Sequence, residues 1–152
     1  MSELKQFNLA RTSLLTFIED LDENILDHQF KYFENTMRWE IGNTLFFDEK
    51  LLFVSQKSKS IPTEYAELFS SDIKSSDWKI TPPTLDQLKE NLLVQQNRIN
   101  SFDELFWKSN VKFKVPHSHV ETHGDLLIML AHREAEVLGK LKAMKQVYEN
   151  EK

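Results

Sequence analysis

A chain of 152 residues, 40% of them hydrophobic and 28% charged, has the size and composition of one ordinary globular domain, which excludes a disordered or membrane-embedded polypeptide. Its formal charge of -5, with no run of Lys or Arg, leaves no electrostatic footprint for nucleic acid or for an anionic membrane surface. The absence of cysteine excludes disulfides, thiolate metal sites and Cys nucleophiles together.

Any chemistry must therefore come from His, carboxylates, amides or hydroxyls. The first residues lack a basic start followed by an apolar run, and no apolar stretch approaches a membrane span. The expected setting is a reducing one, the cytoplasm. Three glycines and four prolines are too few and too unevenly placed for the regular turns of an all-β protein, so helices are expected, around a single core. No repeat, low-complexity segment or linker divides the chain.

Phe7, Leu14, Leu15, Phe17, Ile18 and Leu21 recur at steps of three and four, which predicts a first helix over residues 4–21. After a polar break at 22–27, the apolar face Phe33, Met37, Ile41, Leu45, Phe46, Leu51 and Leu52 predicts a second helix over 33–54. Gly42 in its interior costs about 1 kcal/mol relative to Ala, which asks for a packing reason. Residues 55–83 read as a long crossover with one small helix at 65–69. Thr84 caps a third helix behind the Pro82-Pro83 stop, with Leu85, Leu88, Leu92, Leu93 and Ile99 inward and an end near Phe102.

Residues 103–120 form a second connection, with the cluster Leu105, Phe106 and Trp107 and an alternating stretch 111–115 that suits a short extended piece without making a sheet. His123 or Thr122 then caps a fourth helix to about Tyr148, buried along Leu126, Leu127, Leu130, Ala131, Val137, Leu138, Leu141 and Met144. Four amphipathic helices with two longer connections make an all-α four-helix bundle the expected architecture.

Trp39-Glu40-Ile41-Gly42-Asn43 in the second helix and His132-Arg133-Glu134-Ala135-Glu136 in the fourth together resemble the DinB-like family, which includes YfiT-like metal-dependent hydrolases and bacillithiol transferases. The helix order, the crossover with Tyr65-Ala66-Glu67-Leu68-Phe69, and Pro82-Pro83-Thr84 extend the resemblance over nearly the whole chain. It implies a bundle with a long crossover, a homodimer, and a divalent metal held by three imidazoles, one after the glycine and two spaced by four on the fourth helix. Here that pattern is met by His132 alone, because Asn43 and Glu136 stand at the other two positions. Two imidazoles replaced by an amide and a carboxylate make a poor set for zinc or nickel. A degraded site follows, with no metal at high occupancy and a role in binding a small molecule or a partner chain; the alternative is a metal-dependent transferase or hydrolase.

Asn43, His132 and Glu136 are accordingly expected to converge on the inner side of the bundle near Trp39, either as a polar pocket or as a cluster in which the amide and carboxylate satisfy the imidazole. Asn43→His with Glu136→His should then restore a metal site. Three of the five histidines lie in Pro116-His117-Ser118-His119-Val120-Glu121-Thr122-His123, where a solvated loop and helix cap is weighed above a metal site. His28 is isolated. No Gly-x-Ser-x-Gly elbow or phosphate loop occurs, and the carboxylates fall mostly at positions read as solvent-facing, so no acid-base pair can be picked out. Trp39, Phe46, Phe47, Phe106 and Trp107 read as core more readily than as a pocket.

Overall fold

The computed structural model describes residues 2–116 and 118–151. Those residues fold into α-helices α1 (Ser2–Glu19), α2 (Met37–Leu52), α3 (Tyr65–Phe69), α4 (Leu85–Ser101), α5 (Glu104–Lys108) and α6 (His123–Asn150). No strand occurs among them, and no helix is long and apolar enough to cross a membrane. α1 packs against α4 and α6, α2 against α3, α4 and α6, and α5 against α6.

Caps set the helix boundaries. The Thr36 hydroxyl accepts from the Trp39 amide, so α2 starts at Met37 rather than at residue 33 and leaves Phe33 outside it. The Phe53 amide closes on the Glu49 carbonyl and ends α2 two residues before the expected 54. The polar break is itself ordered: Asp22 caps a short 3-10 turn, Glu23–Ile25, and Ile25 and Leu26 are buried. Reciprocal side-chain and backbone bonds between Thr84 and Gln87, and between Thr122 and Asp125, close the starts of α4 and α6 as capping boxes. Thr122, not His123, is therefore the cap of α6. The alternating stretch 111–115 forms no strand; a single bridge pairs Asn110 with Thr122.

The crossover is anchored on α2. The Trp39 indole donates to the Ile73 carbonyl at 2.8 Å, and the Trp78 indole donates to the Leu68 carbonyl at 2.7 Å. A Cβ on Gly42 would lie 2.3 Å from the Phe69 ring, so the ring occupies the space that glycine leaves. This close approach is the packing reason for a helix-interior glycine. At the other end of the same face, the Arg38 guanidinium makes a two-pronged pair with Asp27 at 2.9 Å and reaches Glu23 at 3.2 Å. Glu23 in turn accepts the first amide of α4 from Leu85 at 3.0 Å.

The single core expected from the sequence is divided. One apolar cluster gathers Leu14, Ile18, Leu45, Leu88, Leu92, Val137 and Leu141, and a second gathers Phe7, Leu52, Ile99, Trp107, Leu127 and Leu130. Between these two sets lies a layer of polar side chains.

Candidate functional site

On each long helix one polar residue interrupts the apolar stripe. α1 buries Phe7, Arg11, Leu14 and Ile18; α2 buries Ile41, Leu45, Asp48 and Leu52; α4 buries Leu88, Leu92, Gln95 and Ile99; α6 buries Leu130, Glu134, Val137 and Leu141. Because stripe residues face the interior at the same height, Arg11, Asp48, Gln95 and Glu134 meet. Arg11 Nε and Nη2 donate to the two Glu134 oxygens at 2.7 and 3.0 Å. Arg11 Nη2 also reaches Gln95 Oε1 at 3.0 Å and Asp48 Oδ2 at 3.1 Å, while Nη1 donates to the Leu92 carbonyl at 2.8 Å. Gln95 passes the network on, its Nε2 donating to the Leu45 carbonyl at 3.0 Å and to Glu49 at 3.1 Å. Glu49 also accepts from the Ser60 amide and hydroxyl and pairs with Arg98 at 3.6 Å.

Burial dominates the electrostatics of this layer. It pushes the Asp48 carboxyl well above the usual carboxylate range, and the nearby charge of Glu134 pushes the same way, against the opposing pull of Arg11. Burial also works against the charge on Arg11, but Glu134 more than offsets it, and the Arg11 pKa is raised. The arrangement is a guanidinium ion-paired with Glu134 beside an Asp48 that favours its proton. No buried side-chain nitrogen or oxygen among the described residues is left without a hydrogen bond.

A second polar contact crosses the seam between α2 and α6. Asn43 Nδ2 donates to the Phe69 carbonyl at 2.7 Å, which fixes the amide so that its oxygen faces α6. There the Asn43 oxygen accepts from Arg133 Nη2 at 2.5 Å. The Arg133 guanidinium lies 3.9 Å from the centre of the Phe47 ring. Two turns along α6, Lys140 reaches the buried Glu40 at 3.2 Å. Burial, the largest influence, lowers the Arg133 pKa against the opposing charges of Asp48, Glu40, Glu134 and Glu136.

The four residues named from the sequence are thus placed separately. Trp39 and Asn43 are buried on α2, whereas His132 and Glu136 are exposed on α6. Asn43 meets Arg133, one residue beyond His132. His132 instead lines a shallow apolar groove of about 260 Å³ between α1 and α6, with Gln6, Leu9, Ala10, Ser13 and Ala135. The reading that Asn43, His132 and Glu136 converge is corrected: a spacing of four keeps His132 and Glu136 together, but the stripe of α6 places that pair toward solvent. These three residues do not fit a divalent metal, because a guanidinium already occupies the free face of Asn43 and would repel the ion.

The histidine-rich loop also resolves. His117 lies outside the described residues, His119 and Glu121 are exposed, and His123 pins the start of α6. The His123 Nδ1 lies 2.9 Å from the Ser109 hydroxyl and 3.0 Å from its carbonyl, and the ring stacks on Phe106 at 4.4 Å. His28 lies 3.3 Å from Glu151 and edge-on to Phe30 and Tyr148, tying the end of α6 to the segment after α1. Among the described residues no group of three or more His, Asp or Glu is placed to hold a metal ion. Trp39 and Trp107 are buried in the two apolar clusters, and Phe46, Phe47 and Phe106 pack half-buried against them.

Sequence reasoning missed Arg11, Asp48, Gln95, Glu134 and Arg133. The assignment of carboxylates to solvent is corrected at Glu40, Asp48, Glu49 and Glu134, all of them buried. The available signal was the stripe itself: 7-11-14-18, 41-45-48-52 and 88-92-95-99 each keep helical spacing straight through a polar residue. Compared with models of known protein families and with curated proteins, the chain matches none.

Proposed function

We propose that the chain is a DinB-like four-helix bundle with a long crossover, whose inter-helix face binds a small molecule or a partner chain and has left metal chemistry behind. The observation that supports this reading is the Arg133 guanidinium seated on Asn43. The resemblance assigns a metal ligand to that second-helix position, and here a neutral amide is committed on one side to the Phe69 carbonyl and on the other to a cation. A divalent ion would have to displace an arginine and then bind an amide oxygen. A homodimer and a cytoplasmic setting belong to the same proposal, the former to be tested by sedimentation.

Zinc titration by calorimetry, on protein purified without a nickel column, tests it. The wild-type chain is expected to show little or no binding. Asn43→His, Arg133→His and Val137→His combined put two imidazoles four residues apart on α6 opposite one on α2, and this triple variant is expected to bind zinc far more tightly. Asn43→His with Glu136→His is expected to gain little, because Glu136 is exposed at the rim and Arg133 stays in place. Tight binding by the wild type would overturn the proposal in favour of a metal-dependent transferase or hydrolase.

A further inference from the structure

Of the four arginines, three are neutralised by direct ion pairs: Arg11 with Glu134, Arg38 with Asp27, and Arg98 with Glu49. Arg133 has no carboxylate within ion-pair distance among the described residues, although the protein carries 24 of them. It is nonetheless held. Nη2 is bound by the amide of Asn43, itself fixed by the Phe69 carbonyl, and the plane of the group rests on Phe47. Nη2 spends one of its two N–H donors on Asn43, and Nε and Nη1 have no partner among the described residues and are not sealed from solvent, so the guanidinium presents free donors whose orientation is already set.

We propose that Arg133 is the anchor for the carboxylate head of a small anionic ligand bound at the α2–α6 seam, with the ligand's apolar body against Phe47. The proposal rests on the small-molecule reading above and names its ligand class. The charges around Arg133 select a monoanion. Glu40 is answered by Lys140 and Glu134 by Arg11, and Asp48 favours its proton, but Glu136, three residues along α6, is exposed without an ion pair among the described residues. One guanidinium beside one unanswered carboxylate suits a singly charged carboxylate better than a dianionic phosphate. Phe47 and Met129, both half-buried against the same apolar cluster, supply an apolar wall within one turn of Arg133.

The test is a titration of the full chain with benzoate, followed through the Arg133 Nε–Hε resonance, with matched sodium chloride and inorganic phosphate as separate arms. Benzoate is expected to shift that resonance saturably, while chloride leaves it unmoved and phosphate moves it less at equal concentration. Arg133→Gln should abolish saturable binding, read on the neighbouring backbone amides. Arg133→Lys keeps the charge, loses the planar set of fixed donors, and should weaken binding by tenfold or more. Glu136→Gln should tighten it about twofold, as expected for removing a like charge one turn away. A benzoate shift that does not saturate, survives Arg133→Gln, or is exceeded by phosphate overturns the assignment. Absent benzoate binding together with absent zinc binding would end this inference alone, whereas tight zinc binding by the wild type would end the reading it rests on.

Discussion

At Gly42 the added methyl of alanine would meet the Phe69 ring at 2.3 Å, and that ring is fully buried against Tyr65 and Trp78. Overpacking of this kind costs about 1–3 kcal/mol, against about 1 kcal/mol regained from alanine's helix propensity. Gly42→Ala is therefore expected to lower the melting temperature by a few degrees, and a second change, Phe69→Leu, to recover part of the loss; a melting temperature raised by Gly42→Ala alone would show that the ring moves freely. Asp48 gives a prediction of opposite sign. Its folded pKa is raised, chiefly by burial and then by Glu134, so the folded protein binds a proton that the unfolded chain releases at lower pH. Stability is thus greatest below the ordinary carboxylate pKa and falls as pH rises toward the folded pKa of Asp48. Asp48→Asn keeps the shape of the neutral carboxyl and should remove that contribution, flattening denaturation midpoints measured from pH 4 to 8 and raising the one at neutral pH. An unchanged pH profile would mean that Asp48 is ionised in the folded protein.

The long helices were legible because their ends are written in local chemistry. Thr84 after two prolines gave the start of α4 directly, and its capping box makes Thr84→Ala costly by about 1 kcal/mol, an effect that urea unfolding should resolve. The start of α2 was misplaced by four residues because Phe33 continues the apolar period while the cap at Thr36 interrupts it, and the cap decided. On α6 the error was one of rotation. His132 carries the more suggestive side chain, yet the stripe through Leu130, Glu134 and Val137 turns it to solvent and brings Arg133 to Asn43. Of the four residues named from the sequence, Trp39 and Asn43 are buried on α2 and His132 and Glu136 are exposed on α6, and the guanidinium that meets Asn43 sits one residue beyond His132. The polar layer was hidden for a different reason. A single Arg or Glu among leucines reads as a surface residue until four helices are superposed at the same height.

Across the whole molecule the layer joins α1, α2, α4 and α6 through Arg11. Removing the cation alone, by Arg11→Met, leaves Glu134 buried without its counter-charge and is expected to destabilise by about 3–5 kcal/mol. Replacing the layer together, with Arg11→Met, Asp48→Leu, Gln95→Leu and Glu134→Leu, removes every charge at once and fuses the two apolar clusters. Buried ionic sets exchanged for well-packed apolar ones are often neutral or stabilising, by about 1–4 kcal/mol, so the quadruple variant should melt above the single one. Calorimetry of the two proteins checks this, and a quadruple variant less stable than Arg11→Met would show that the layer contributes net stability.

That non-additivity governs how such a protein can change over generations. Arg11 and Glu134 are each tolerable only in the presence of the other, so a lineage carrying the pair cannot leave it one substitution at a time without passing through a weakened intermediate. The apolar residues on either side face no such constraint and can be exchanged singly for others of similar volume. Relatives of this chain should accordingly keep or lose Arg11 and Glu134 together, while their leucines drift.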